Sequence, residues 1–201
     1  MKKSITLSIL GLFGMVATAQ AAEPLMSAKW GEMACEAWNN NVTLTEELGG
    51  ETWAANNGGK GYKIMQVYSM DCDEAPTAEL QISDQEGKAI CTYGGAVKST
   101  ELDKKVDYIM FAKTSNWERM GAGKDGPMKA MTFGRLKFKG PKMEAMSNMG
   151  PFEAFLLLTG DVESSTTDCP TKKNFLTHPE KKPDCMRAFL YASIFRNPLF
   201  V

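Results

Sequence analysis

The sequence is poor in the residues that enzymes use for acid–base and metal chemistry. It has one histidine, His178, near the end of the chain. Ser–His or Cys–His catalysis needs a histidine beside its nucleophile, so it has little support here. No G-x-S-x-G, G-x-x-x-x-G-K-[ST] or G-x-G-x-x-G pattern occurs, which removes the usual signals for a nucleophile elbow, a P-loop and a dinucleotide fold. The run Gly121-Ala122-Gly123-Lys124-Asp125-Gly126 has glycine and a lysine but lacks the strand–loop–helix spacing of a phosphate loop. No pair of cysteines is spaced C-x-x-C, so a thioredoxin-like redox pair is absent and a zinc site is poorly supplied. Asp71, Asp73 and Glu74 lack EF-hand spacing and read as an acidic turn. A formal net charge of −1 gives no electrostatic reason for nucleic acid binding. No catalytic residue, metal or cofactor is expected.

Long apolar runs are also missing. The longest begins at Ile5 and ends at Val16, short of the roughly 18 residues that read as a membrane span. It is flanked by Lys2 and Lys3 and by Ala19-Gln20-Ala21, a small-residue cleavage pattern. Residues 1–21 therefore read as a secretory signal peptide, and a periplasmic location is expected. The five cysteines, Cys35, Cys72, Cys91, Cys169 and Cys185, all follow it. In an oxidising compartment they favour disulfides, with Cys185 as the odd thiol and the pairing of the other four open.

What remains is one domain over residues 22–168, long enough for a real core. Ser27 caps a predicted helix over 28–39 with Trp30, Met33, Ala34, Ala37 and Trp38 on one face. Thr43 to Glu46 reads as a capping box for a second helix. Strands are predicted near 62–70, 77–83 and 88–94, linked by short turns as an antiparallel meander, with a bulge or bend expected at Gly94-Gly95.

The clearest grammar lies between Val106 and Gly160. Val106 to Ala112 is a fourth strand, and Ser115 to Glu118 reads as a capping box for a short helix. Gly126-Pro127, Gly140-Pro141 and Gly150-Pro151 each place a proline where a helix can begin. Arg135 to Lys139 alternates, so Leu136 and Phe138 face a core while Arg135, Lys137 and Lys139 face water on an edge strand or meet anionic lipid headgroups. Seven methionines fall between 110 and 149. Methionine is flexible and polarisable, which suits the wall of an apolar pocket, although a methionine stripe at helical spacing is more often plain core.

The words VDYIMFA, GPMKAMTFGRLKFKG and MGPFEAFLLL, in that order of elements, resemble the sterol carrier protein type 2 domain family. The matching residues are Asp107, Gly123, Met128, Gly134, Leu136, Lys137, Phe138 and Gly140. The resemblance implies an α+β fold: a five-stranded, mainly antiparallel sheet with helices on one face, enclosing an apolar tunnel for a sterol, fatty acyl chain or phospholipid. Candidate lining residues are Met110, Trp117, Met120, Met128, Met131, Phe133, Met146, Phe152, Phe155 and Leu156. The expected activity is non-catalytic lipid binding or transfer, with transient contact with a membrane surface. The alternative is an accessory subunit that presents an apolar substrate to a partner enzyme. The resemblance does not reach residues 169–201, a basic and apolar tail in which Met186 to Phe195 either lies on a membrane, closes the pocket or is irregular.

Overall fold

The structure is a computed structural model, which describes residues 22–51 and 53–170. Residues 1–21, where a signal peptide is expected, lie outside those residues, as do Cys185 and the C-terminal tail. The described chain runs α1 (Ala28–Asn39), α2 (Val42–Glu47), β1 (Lys63–Ser69), β2 (Ala78–Gln85), β3 (Lys88–Gly95), β4 (Tyr108–Ala112), α3 (Thr114–Gly121), α4 (Pro127–Thr132), β5 (Lys137–Lys139), α5 (Lys142–Ser147) and α6 (Met149–Asp161).

The five strands form one sheet in the order β3-β2-β1-β4-β5. β1 pairs parallel to β4, and the other three pairings are antiparallel. The expected α+β fold is thus present, with β5 on an edge. β1 is central, and every one of its residues is buried. Helices cover the face that carries Met65 and Val67. The connection from β3 to β4 returns across the opposite face, where Glu79 is fully buried. Its carboxylate accepts from Ser99 N at 2.9 Å, Ser99 Oγ at 2.7 Å, Gln66 Nε2 at 3.0 Å and Gln81 Nε2 at 2.8 Å. Burial alone would push the Glu79 carboxyl up, but these donors outweigh it and hold the group below its ordinary value.

The edge at β3 is closed by side chains of α1. Asn39 donates to Cys91 O at 2.9 Å and accepts from Cys91 N at 2.8 Å, while Trp38 Nε1 donates to Ala89 O at 2.8 Å. Asn39 thereby acts as a neighbouring strand would, and the edge presents fewer free backbone groups. A Cys35–Cys91 disulfide fixes the same contact, and Cys72–Cys169 ties the β1–β2 turn to the segment after α6. The bulge expected at Gly94-Gly95 lies instead opposite Gln81 and Ile82. The two glycines stay in the strand because α1 passes over them in backbone contact: a Cβ on Gly94 would lie 2.2 Å from Gly31 O.

Three helix starts show how far local capping carries. Ser27 caps α1 as expected, accepting from Trp30 N at 3.0 Å. Asn41, not Thr43, caps α2. At α3 the N-cap is Lys113, with no side-chain bond of its own. The acceptor comes from elsewhere in the chain: Asp71 Oδ1 takes Thr114 N and Thr114 Oγ1, each at 2.9 Å. The acidic turn at Asp71 is therefore a helix cap supplied across the fold. Burial raises the Asp71 carboxyl, and the Thr114 bonds more than offset it. Arg135 also departs from the solvated reading. It joins Arg119 and Lys129 around the buried Asp125, at 2.6, 2.7 and 2.8 Å, linking α3, α4 and the approach to β5.

Two outcomes follow from this arrangement. The hydrogen bond from Arg119, then those from Lys129 and Arg135, hold Asp125 well below the usual carboxylate range. A depressed folded-state value contributes stability above the unfolded value of about 4 and loses it as pH falls toward the folded value. The urea midpoint is expected to drop below about pH 4; Asp125→Asn lowers it at pH 7 and makes that acid slope shallower. Replacing Cys72 and Cys169 by serine opens a 97-residue separation and is expected to cost about 4 kcal/mol in urea denaturation.

Candidate functional site

Trp38 from α1 lies between Trp53 and Phe155, with ring centroids 6.2 Å from each. Trp53 stacks on Tyr108 of β4 at 5.8 Å, and Tyr108 meets Phe138 of β5 at 5.4 Å. This aromatic row stands between the sheet and the helices. It borders a small, half-open cavity of about 40 Å³ lined by Trp38, Leu48, Trp53, Met65, Tyr108, Met110, Phe138, Ala145, Asn148, Pro151, Phe152 and Phe155. A larger groove of about 350 Å³ lies alongside, lined by Met128, Met131, Thr132, Leu136, Phe138, Lys142, Ala145 and Met146. Phe138 and Ala145 line both spaces and form the partition between them.

The sequence-derived candidates divide between these spaces. Met110, Phe152 and Phe155 line the inner cavity, and Met128, Met131 and Met146 line the groove. Trp117, Met120 and Leu156 are buried in the core and line neither. Trp117 donates to Tyr68 O at 3.1 Å, which fixes α3 to β1. Phe133 is 66% exposed and lines neither space. Together with Met128, Met143 and Met146 it is among the large apolar side chains exposed on the surface. The inner cavity owes most of its wall to residues that the sequence reading did not put among the lining candidates, including Trp38, Trp53, Met65, Tyr108 and Phe138.

The polar end of the site was not foreseen either. Lys63 sits on β1 in phase with Met65, its side chain 0% exposed. Its ammonium donates to Glu144 Oε2 at 2.9 Å, to Glu144 Oε1 at 3.1 Å and to Asn56 O at 2.8 Å. It also lies 4.7 Å from the Trp53 ring and 5.3 Å from the Tyr108 ring. Glu144 further accepts from Asn56 Nδ2 at 2.6 Å and from the Tyr108 hydroxyl, and that hydroxyl accepts from Trp53 Nε1 at 2.9 Å. Burial pulls the Lys63 ammonium below its ordinary value, and Glu144 only partly restores it. Burial, then the bond to Glu144, pushes the Tyr108 phenol far up. The one signal in the sequence was a lysine on the apolar phase of a strand, K-I-M-Q-V.

Asp107, at the head of β4, is structural. Its carboxylate accepts from Ile64 N at 2.9 Å and Asp103 N at 2.8 Å and pairs with Lys60, which holds the starts of the two parallel strands together. Gly140 serves the same corner: its φ is +142° and a Cβ there would lie 2.6 Å from Asp107 O. Among the described residues no cluster of His, Cys, Asp or Glu is placed to hold a metal ion, and no helix is long and apolar enough to cross a membrane.

The partition gives a direct expectation. Phe138→Ala should join cavity and groove, lowering stability by about 2 kcal/mol because the ring is only half-buried and raising the fluorescence of an added anilinonaphthalene dye relative to the parent protein.

Known proteins were compared with the chain in sequence and in structure. No curated protein matches it. Among solved structures, sterol carrier protein 2 is 17% identical with a TM-score of 0.42, covering 69% of this chain and 98% of that one. A conserved hypothetical protein from Thermus thermophilus, described as possibly a sterol carrier protein, is 17% identical with a TM-score of 0.43, covering 73% and 94%. The apo form of sterol carrier protein 2 from Yarrowia lipolytica is 14% identical with a TM-score of 0.37, covering 68% and 96%. The decisive match is that of the SCP-2 sterol transfer family, whose model covers residues 52–153, from the segment before β1 to the start of α6. The chain belongs to the SCP-2 sterol transfer family.

Proposed function

We propose that the protein binds the apolar part of a lipid between its sheet and its helices, and carries it without covalent chemistry in the periplasm. The observation that carries this reading is an apolar cavity walled by aromatic and methionine side chains, with a groove beside it that shares Phe138 and Ala145 and adds Met128, Met131 and Met146 to a partly polar lining. Such a wall repacks at low cost around ligands of different shape. Membership of the SCP-2 sterol transfer family supports the same class of ligand. The Cys35–Cys91 and Cys72–Cys169 disulfides and the N-terminal leader pattern support an oxidising compartment outside the cytosol.

The exposed side chains of Met128, Phe133, Met143 and Met146 favour a second use of the same site. An apolar surface of this kind suits docking, either on a membrane during exchange or on an enzyme that receives the carried substrate. Lys142 lines the groove, and Lys137 and Lys139 lie on the edge strand beside Phe111. Arg135 has less to offer a headgroup, because Asp125 engages it.

Native mass spectrometry and solvent extraction of the purified protein test the carrier reading. A co-purifying lipid, or saturable uptake of a fluorescent fatty acid that quenches Trp38 and Trp53, is the expected result. Protein that is free of lipid and takes up no apolar ligand would overturn it.

A further inference from the structure

The Lys63–Glu144 pair is hard to explain as a device for stability. A buried ion pair recovers little beyond the cost of dehydrating both groups, and apolar side chains of similar size serve a core as well or better. Yet Lys63 takes an apolar-phase position on the central strand and is completely enclosed. Its partner stands on the weakest part of the wall. α5 has six residues, no side-chain cap and one buried residue, Ala145, while Met143 is 75% and Met146 48% exposed. Ala145 is also half of the partition between cavity and groove. The bonds to Glu144 therefore account for much of what holds α5 against the sheet.

Three donors make four hydrogen bonds to the Glu144 carboxylate: the Lys63 ammonium to both oxygens, Asn56 Nδ2, and the Tyr108 hydroxyl. All belong to the sheet or to the segment before it, and none to α5. The receptor for a carboxylate is thus built on the rigid side, and α5 supplies its occupant. Beyond Lys63 the same face of β1 continues to Met65, which lines the cavity.

We propose that Lys63, with Asn56 and Tyr108, is the head-group site for a long-chain carboxylate, and that Glu144 holds that site in the latched form. Ligand entry exchanges one carboxylate for another. The ligand's chain follows Met65 and Met110, and α5, released from Lys63, swings out so that cavity and groove become one space. The inference rests on the lipid-binding reading above and narrows it to ligands with an anionic carboxylate head.

The test uses the full chain and two probes, tetradecanoate and its methyl ester, titrated by tryptophan fluorescence. The parent protein is expected to bind the acid about tenfold more tightly than the ester, the usual worth of a charge-assisted hydrogen bond. Lys63→Met brings the acid-to-ester ratio to about one, and Glu144→Gln tightens the acid several-fold because the internal competitor is weakened. Equal binding of acid and ester by the parent protein would overturn the head-group site and leave lipid binding intact. Weaker acid binding in Glu144→Gln would overturn the exchange. Failure of both probes to bind would overturn the inference together with the function beneath it. Because Lys63→Met disturbs a buried pair, its circular dichroism and urea midpoint accompany the titration. The acid-versus-ester ratio of the parent protein decides the question if that variant does not fold.

Discussion

Everything in this fold is conditioned by the burial of β1 on both faces. A central strand enclosed on each side gains most by pairing the polar groups it carries, because an unpaired buried group costs more than a hydrogen bond gains. β1 carries Lys63, Gln66 and Ser69 into that environment, and the two long side chains are paired while the small Ser69 hydroxyl has no hydrogen-bond partner. On one face Gln66 is matched by Glu79 and by Ser99 O, which brings the β3–β4 connection across the sheet. On the other, Lys63 is matched by Glu144, which brings α5 down over the aromatic row. Two covering layers are thus secured by two polar networks, and the strand between them sets where both must lie.

The two networks differ in how replaceable they are. Glu79 is enclosed by donors from β1, β2 and the crossing segment, so no single element can leave without stranding a charge. Lys63 is satisfied largely by one carboxylate on a short helix. The helical layer is firm where backbone packs on backbone. A Cβ on Gly160 would lie 2.5 Å from Gly121 O, so the two glycines bring α3 and α6 into direct contact. No comparable glycine contact secures α5 among the described residues. The molecule therefore joins a firm sheet and two firm helices to one lightly held wall, at the place where its apolar spaces meet.

The fold was largely legible because its punctuation is local. Gly-Pro pairs marked the starts of α4, α5 and α6, and alternation at 135–139 marked an edge strand with Leu136 and Phe138 inward. At two of the places where the sequence reading departed from the structure, a distant group had taken over a local job. Asp71 caps α3 in place of Ser115, and Asp125 gathers Arg135 away from solvent. The site was less legible for the same reason. The methionine stripe pointed to Met128, Met131 and Met146, which line the groove, whereas the inner cavity is closed by Trp38, Trp53 and Tyr108 from three separate parts of the chain. Trp38 on an apolar helix face is indistinguishable in sequence from ordinary core, and Glu144 from any exposed helical glutamate. Only Lys63, a charge on the buried phase of a strand, departed from its local pattern.

The central claim is that an apolar ligand occupies the space between β1, β4 and α6, behind Phe138. Methyl-labelled methionine makes this directly observable by nuclear magnetic resonance, with a fatty acid carrying a nitroxide near the end of its chain as probe. The account predicts strong broadening of the Met65 and Met110 methyl signals, weaker broadening at Met131, and little at Met70 on the β1–β2 turn. Broadening confined to the exposed Met143 and Met128, with Met65 and Met110 untouched, would place the ligand on the surface and contradict the account.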